Sequence, residues 1–174
     1  MTRPSALVLL LASVLACGDG GEGEVVERAE ADRAAADSAF AELQERGASA
    51  EAMGVDQYTS THVFEDLPDG GRIELQRDAD DPAGVEQIRS HLRHIAGRFA
   101  EGDFSIPGFV HDVDEVPGTD VMSRKADVIS YEAGELPRGA ELRIRTDDDE
   151  AVRAIHAFLA FQRSDHRTEG HAAH

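Results

Sequence analysis

Leu67-Pro68-Asp69-Gly70-Gly71-Arg72-Ile73-Glu74-Leu75 and Leu136-Pro137-Arg138-Gly139-Ala140-Glu141-Leu142-Arg143-Ile144 share one pattern. Each sets a Gly-bearing turn after Leu-Pro and then alternates apolar with polar residues: Ile73 and Leu75 in the first, Leu142 and Ile144 in the second. A turn of this kind between two short alternating runs marks a β-hairpin, because glycine supplies the backbone angles that a tight turn needs. The spacing predicts strands over Tyr58–Glu65 and Arg72–Gln76, then over Val128–Tyr131 and Glu141–Arg145.

A helix is expected after each hairpin. Asp81 caps the first, Pro82 suits its opening turn and Gly102 its exit, with Val85, Ile88, Leu92, Ile95 and Phe99 as the apolar stripe. Asp147 with Glu150 reads as a capping box opening the second, which runs to about Arg163 with Val152, Ile155, Leu159 and Gln162 along one face. Val85-Glu86-Gln87-Ile88 parallels Val152-Arg153-Ala154-Ile155, offset by two positions. A hairpin with one helix cannot bury its own apolar face, so the two ββα units are expected to share a core. The expected architecture is α+β: a four-stranded, mainly antiparallel sheet with helices on one face.

The chain has 174 residues, 35 acidic against 17 basic, and a formal charge of -18. That length fits one domain with added segments. The charge argues against a nucleic-acid surface, and with Lys125 the only lysine there is no lysine-rich membrane patch. A hydrophobic share of 41% exceeds that of a wholly disordered chain.

The first residues carry an address. Arg3 precedes an apolar run from Ala6 to Ala16, of signal-peptide length and too short to span a bilayer. Ala16 before Cys17, then Gly18 and an acidic, Gly-rich stretch, resembles a bacterial lipoprotein lipobox, with Leu15 a less usual residue at its position. The resemblance implies cleavage of residues 1–16, acylation of Cys17 and a durable multi-chain anchor. The protein is then exported, envelope-bound and periplasm-facing, and Gly18 rather than Asp after the cysteine favours the outer membrane in a Gram-negative cell. With Cys17 acylated, thiol nucleophiles, disulfides, cysteine zinc ribbons and iron–sulfur clusters drop out. Residues 17–23 read as a tether, 24–46 as a spacer helix with a weak stripe, 47–57 as a loop, 58–166 as the single α+β domain, and 167–174 as a flexible histidine-bearing tail.

Most catalytic signatures are missing: no Gly-x-Ser-x-Gly, phosphate loop, dinucleotide fingerprint or His-Glu-x-x-His. Acidic runs such as Asp147–Glu150 read as caps and solvated surface, and Asp112–Glu115 lacks EF-hand spacing. Histidines are the anomaly. His62 shares a strand face with Phe64, His91 and His156 border the two helical stripes, His111 lies in the irregular connection over 103–124, and His166 follows the last helix. His94 is expected to face solvent. If the helices lie side by side, His91 and His156 converge, and imidazoles there suit zinc, copper or, less readily, haem iron. The competing expectation for each is a packing residue. The terminal His171 and His174 either chelate loosely or fray.

Thr61-His62-Val63-Phe64, Asp69-Gly70-Gly71, His91-Leu92, Gly102-Asp103-Phe104-Ser105, Val110-His111, Pro117-Gly118, Ala154-Ile155-His156 and Ser164-Asp165-His166 occur in that order. This order resembles a family of small exported bacterial proteins of uncharacterised function, over residues 58–171. Some members carry an aspartate carbamoyltransferase label, but this chain has no Ser-Thr-Arg-Thr loop and no His-Pro-x-Gln, and is too short for that enzyme. The resemblance implies that His62, His91, His111, His156 and His166 belong to the family pattern without giving them a role. Val116 stands where that family carries a Met, which weighs against a His/Met copper site.

Three functions follow, in this order. The first is a lipid-anchored envelope protein binding a transition metal or metal-containing ligand through clustered histidines. The second is a non-metal structural or interaction module whose protein partner the residues do not identify. The third is a small hydrolase or transferase with a His general base partnered by Asp112 or Asp165. A non-enzymatic role is favoured.

Overall fold

Two antiparallel hairpins join through their second strands. In the computed structural model, which describes residues 20–49, 52, 54 and 59–168, β1 (Ser60–Leu67) pairs with β2 (Gly70–Arg77), and β3 (Ser130–Leu136) pairs with β4 (Gly139–Arg145). β2 and β4 then run antiparallel side by side, giving the order β1-β2-β4-β3. The expected α+β architecture is what forms.

The sheet has a wet face and a dry one. Phe64, Ile73, Leu75, Ala140, Leu142 and Ile144 are buried on the side that the helices cover, as period-two alternation requires. The other side carries Glu74 directly opposite Glu141. Arg72 answers this like-charge pair, lying 3.6 Å from each and 2.9 Å from Glu65.

Each long helix covers the hairpin of the other half. α2 (Pro82–Ala100) packs mainly on β3 and β4, and α5 (Asp149–Asp165) on β1 and β2. α2 begins as its sequence predicts: the Asp81 carboxylate accepts the Gly84 N–H at 3.0 Å, Pro82 opens the helix, and Gly102 leaves it at a φ of 74°. The cap of α5 is Asp148 rather than Asp147, its carboxylate accepting the N–H groups of Glu150 and Ala151. Ile88, Leu92, Ile95 and Phe99 from α2 meet Ile155, Phe158 and Leu159 from α5 in one core, while Val85 and Val152 lie at its margin.

The connection over 103–124 is more ordered than its composition predicts. It holds two short helices, α3 (Ser105–His111) and α4 (Thr119–Arg124). Pro107 and Gly108 read as breakers, yet proline in a first turn loses no helical hydrogen bond. Gly118 leads into α4 at a φ of 86°, where a Cβ would come 2.2 Å from the Ala154 carbonyl oxygen. That close approach docks α4 against α5. The expected strand at Val128–Tyr131 starts later, after a 3-10 turn at Ala126–Val128.

The chain divides into two units, Met1–Ala36 and Asp37–His174, inside the long helix α1 (Gly20–Ala48). Residues 23–36 are exposed throughout. In the second unit the end of α1 is more than the spacer its weak stripe suggests. Leu43 and Gln44 are buried, the Arg46 Nε–H donates to the Val110 carbonyl at 2.8 Å, and Arg167 pairs with Asp37 at 2.8 Å while lying over the Phe40 ring. Among the described residues no helix is long and apolar enough to cross a membrane. The signal-like run, Cys17, Tyr58, His171 and His174 lie outside the described residues.

Candidate functional site

Four of the five singled-out histidines meet in one cavity. His62 comes from β1, His91 from α2, His111 from the last residue of α3, and His166 from the C-cap of α5. The cavity has a volume of about 90 Å³, and its remaining wall is mostly apolar, including Phe64, Leu75, Ile95 and Val110. Local structure fixes each position. His62 alternates in register with Phe64 on the covered face of β1, His91 precedes the buried Leu92, and His166 emerges as α5 ends.

The rings pack against one another. His62 and His166 are stacked with centroids 5.5 Å apart, His166 lies 5.5 Å from Phe64, and His111 meets His166 edge-on at 5.1 Å. Burial in this apolar setting pushes His62 and His91 down to about 4 from the ordinary 6.5, and pushes His166 well below it. Desolvation is the largest cause in all three, and the mutual repulsion of neighbouring imidazolium charges adds to it. At neutral pH these three rings are therefore uncharged, each with a nitrogen lone pair to offer.

Three of the four rings are also held from behind. His62 hydrogen-bonds the Ser60 backbone and His91 the Ala52 backbone. His111 is buried at 7% exposure, with its Nδ1 in a short hydrogen bond to Asp165 and its Nε2 2.9 Å from Gln162 Oε1. A backbone or carboxylate partner on one ring nitrogen fixes the tautomer and aims the other nitrogen, the arrangement found behind metal-ligating histidines. Even so, among the described residues no three His, Cys, Asp or Glu side chains stand close enough together to hold a metal ion. The rings stack where ligation needs them to converge on a point.

His156 does not join them, which corrects the expected meeting of His91 and His156. Its Nε2 lies 2.9 Å from both the Leu67 and the Gly70 carbonyl oxygens, so it ties α5 to the β1–β2 turn. His156 and His166 are ten residues apart on and just beyond one helix, about 15 Å along its axis, and only the His166 end reaches the cavity. Of the two proposed acidic partners, Asp165 holds His111, whereas Asp112 is exposed in a left-handed cap at the end of α3. His94 is exposed as expected. Sequence reasoning missed Gln162 as a cavity residue, having read it as the end of the apolar stripe. It is 6% exposed, and its amide nitrogen has no partner among the described residues. A glutamine on an otherwise apolar helix face was the signal.

These depressed histidines predict the pH dependence of stability. A histidine whose folded value lies below its unfolded value binds fewer protons when folded, so stability falls as pH drops from about 6.5 toward 4. Urea unfolding between about pH 7 and 5 should lose up to about 1.4 kcal/mol per pH unit for each such histidine, and His62→Phe should flatten the slope by one share. A wild-type curve that is level or rising toward acid contradicts this.

Comparison of the chain with family models, curated proteins and solved structures found no match.

Proposed function

We propose that this chain is a lipid-anchored, periplasm-facing envelope protein whose globular unit binds a transition-metal ion, zinc or copper, in the four-histidine cavity. The observation that carries the reading is a shared lining: four imidazoles from four elements, spread over residues 62 to 166, face one mostly apolar cavity. Random placement of packing histidines gives no reason for that meeting. Imidazole nitrogens without thiolates suit zinc and copper among the first-row ions.

Size narrows the occupant. An engineered apolar cavity of about 150 Å³ takes benzene, so about 90 Å³ suits a bare ion with at most a very small companion. The hydrolase reading gains Asp165 as the partner of His111, but Gln162 stands against the nitrogen a base would use. Metal entry requires the stacked rings of His62 and His166 to turn toward a common point.

Two measurements test this function. Calorimetric titration of zinc and of copper into the metal-free, lipid-free protein should give saturable one-to-one heat, lost in His62→Ala/His166→Ala and kept in His156→Ala. Heat that survives the double substitution, or no saturable heat at all, leaves the four rings as packing residues and returns the protein to an interaction role. For the anchor, labelled palmitate supplied to an expressing Gram-negative cell should enter the wild-type chain and not Cys17→Ser. Labelling of neither chain, or equal labelling of both, overturns the lipoprotein reading.

A further inference from the structure

One wall of the cavity is made by chain that α1 delivers. Gly47, in the last turn of α1, and Ala52, just beyond the turn at Ser49, both line the cavity, and the Ala52 backbone hydrogen-bonds His91. Within the second unit, residues 37–48 set Phe40, Leu43, Gln44 and Gly47 on one helical face, at spacings of three and four. Leu43, Gln44 and Gly47 are buried while Ala41, Glu42 and Glu45 between them are exposed, so this is the face that seats on the unit.

The seat is weakly made. Unlike α2 and α5, α1 packs along no strand or other helix among the described residues. Leu43 is the one large aliphatic side chain that residues 37–48 bury. Beside it the Gln44 side-chain oxygen is buried without a hydrogen-bond partner among the described residues, and so is the Ser49 hydroxyl. A buried acceptor that has left water for no partner opposes docking, because undocking returns it to water. What fastens the seat is polar: the Arg46 Nε–H donates to the Val110 carbonyl at 2.8 Å, and Arg167 reaches Asp37 at 2.8 Å and lies over the Phe40 ring. Few buried apolar contacts and orphaned polar atoms mark a segment that opens before the rest of its domain. The Arg46 fastening is made to the cavity wall itself, since Val110 and its neighbour His111 are both buried and both line the cavity.

We propose that residues 37–48 of α1 form a strap over the histidine cavity, which opens to solvent when the strap undocks while the sheet, α2 and α5 stay folded. This goes beyond the metal reading: it concerns the way in and holds for any occupant.

The test measures access and uses no metal, so it stands apart from the zinc and copper titrations. The full chain in detergent is treated with diethyl pyrocarbonate, which modifies neutral imidazole, and the rate at each histidine is read by peptide mass spectrometry beside backbone hydrogen exchange. His111 is the main reporter, because its side chain is 1% exposed. In wild type it should react many times more slowly than exposed His94. Arg46→Gln, which gives up a hydrogen bond from a charged donor, should speed His111 by about tenfold, and Leu43→Ala by about thirtyfold or more. Gln44→Leu, which removes the orphaned acceptor, should slow it by about fivefold. His62, His91 and His166 should follow in the same directions by smaller factors, and His94 should not change. Amide exchange should move with these rates over residues 37–48 and stay constant in β2 and β4. His111 reacting as fast as His94 in wild type overturns the strap, as do rates unmoved by all three substitutions. Exchange in β2 and β4 that rises in step with His111 also overturns it, since access then comes from global unfolding. If no saturable metal heat is found while these rates move as expected, the metal reading fails and the strap stands.

Discussion

The pairing of β2 with β4 governs everything else in the second unit. It joins two hairpins, neither of which can bury an apolar face alone, into one sheet with a single dry side. Covering that side falls to two helices, and each reaches over the hairpin of the opposite half. The crossing brings β1, β2, α2, α3 and α5 to the same place, and the gap left where their side chains stop short of one another is the histidine cavity. A close backbone approach at Gly118 seats α4 against α5.

Charge separates surface from interior. The chain carries a formal -18, its open sheet face is a lattice of glutamates and arginines around Arg72, and the cavity beneath holds imidazoles that burial keeps neutral. An acidic exterior raises the local concentration of cations, while the buried imidazoles beneath it stay uncharged.

Much of this was legible in the chain. The repeated Leu-Pro turn with alternating residues gave both hairpins and the sheet type, and the Asp81, Pro82 and Gly102 signals bounded α2 closely. Four of the five candidate histidines line one cavity, but the pair expected to converge, His91 and His156, does not meet. Helical periodicity reports which face a residue occupies but not its height along the axis, so His156 and His166 looked equally able to approach His91. The short helices α3 and α4 were hidden because Pro107, Gly108, Pro117 and Gly118 argue locally for irregular chain, while packing against the rest of the unit decides otherwise. Leu43 and Gln44 were hidden for the opposite reason: their surroundings in α1 are so polar that two buried residues barely register as a stripe.

Metal occupancy of the cavity is tested most directly by a crystal structure of the protein grown with zinc, with anomalous scattering recorded on both sides of the zinc edge. One strong zinc peak is expected inside the cavity, bonded by at least His62 and His166 with their rings turned out of the stack. A cavity without a zinc peak, with zinc found only at exposed sites such as His94 or with the His62–His166 stack intact, contradicts it.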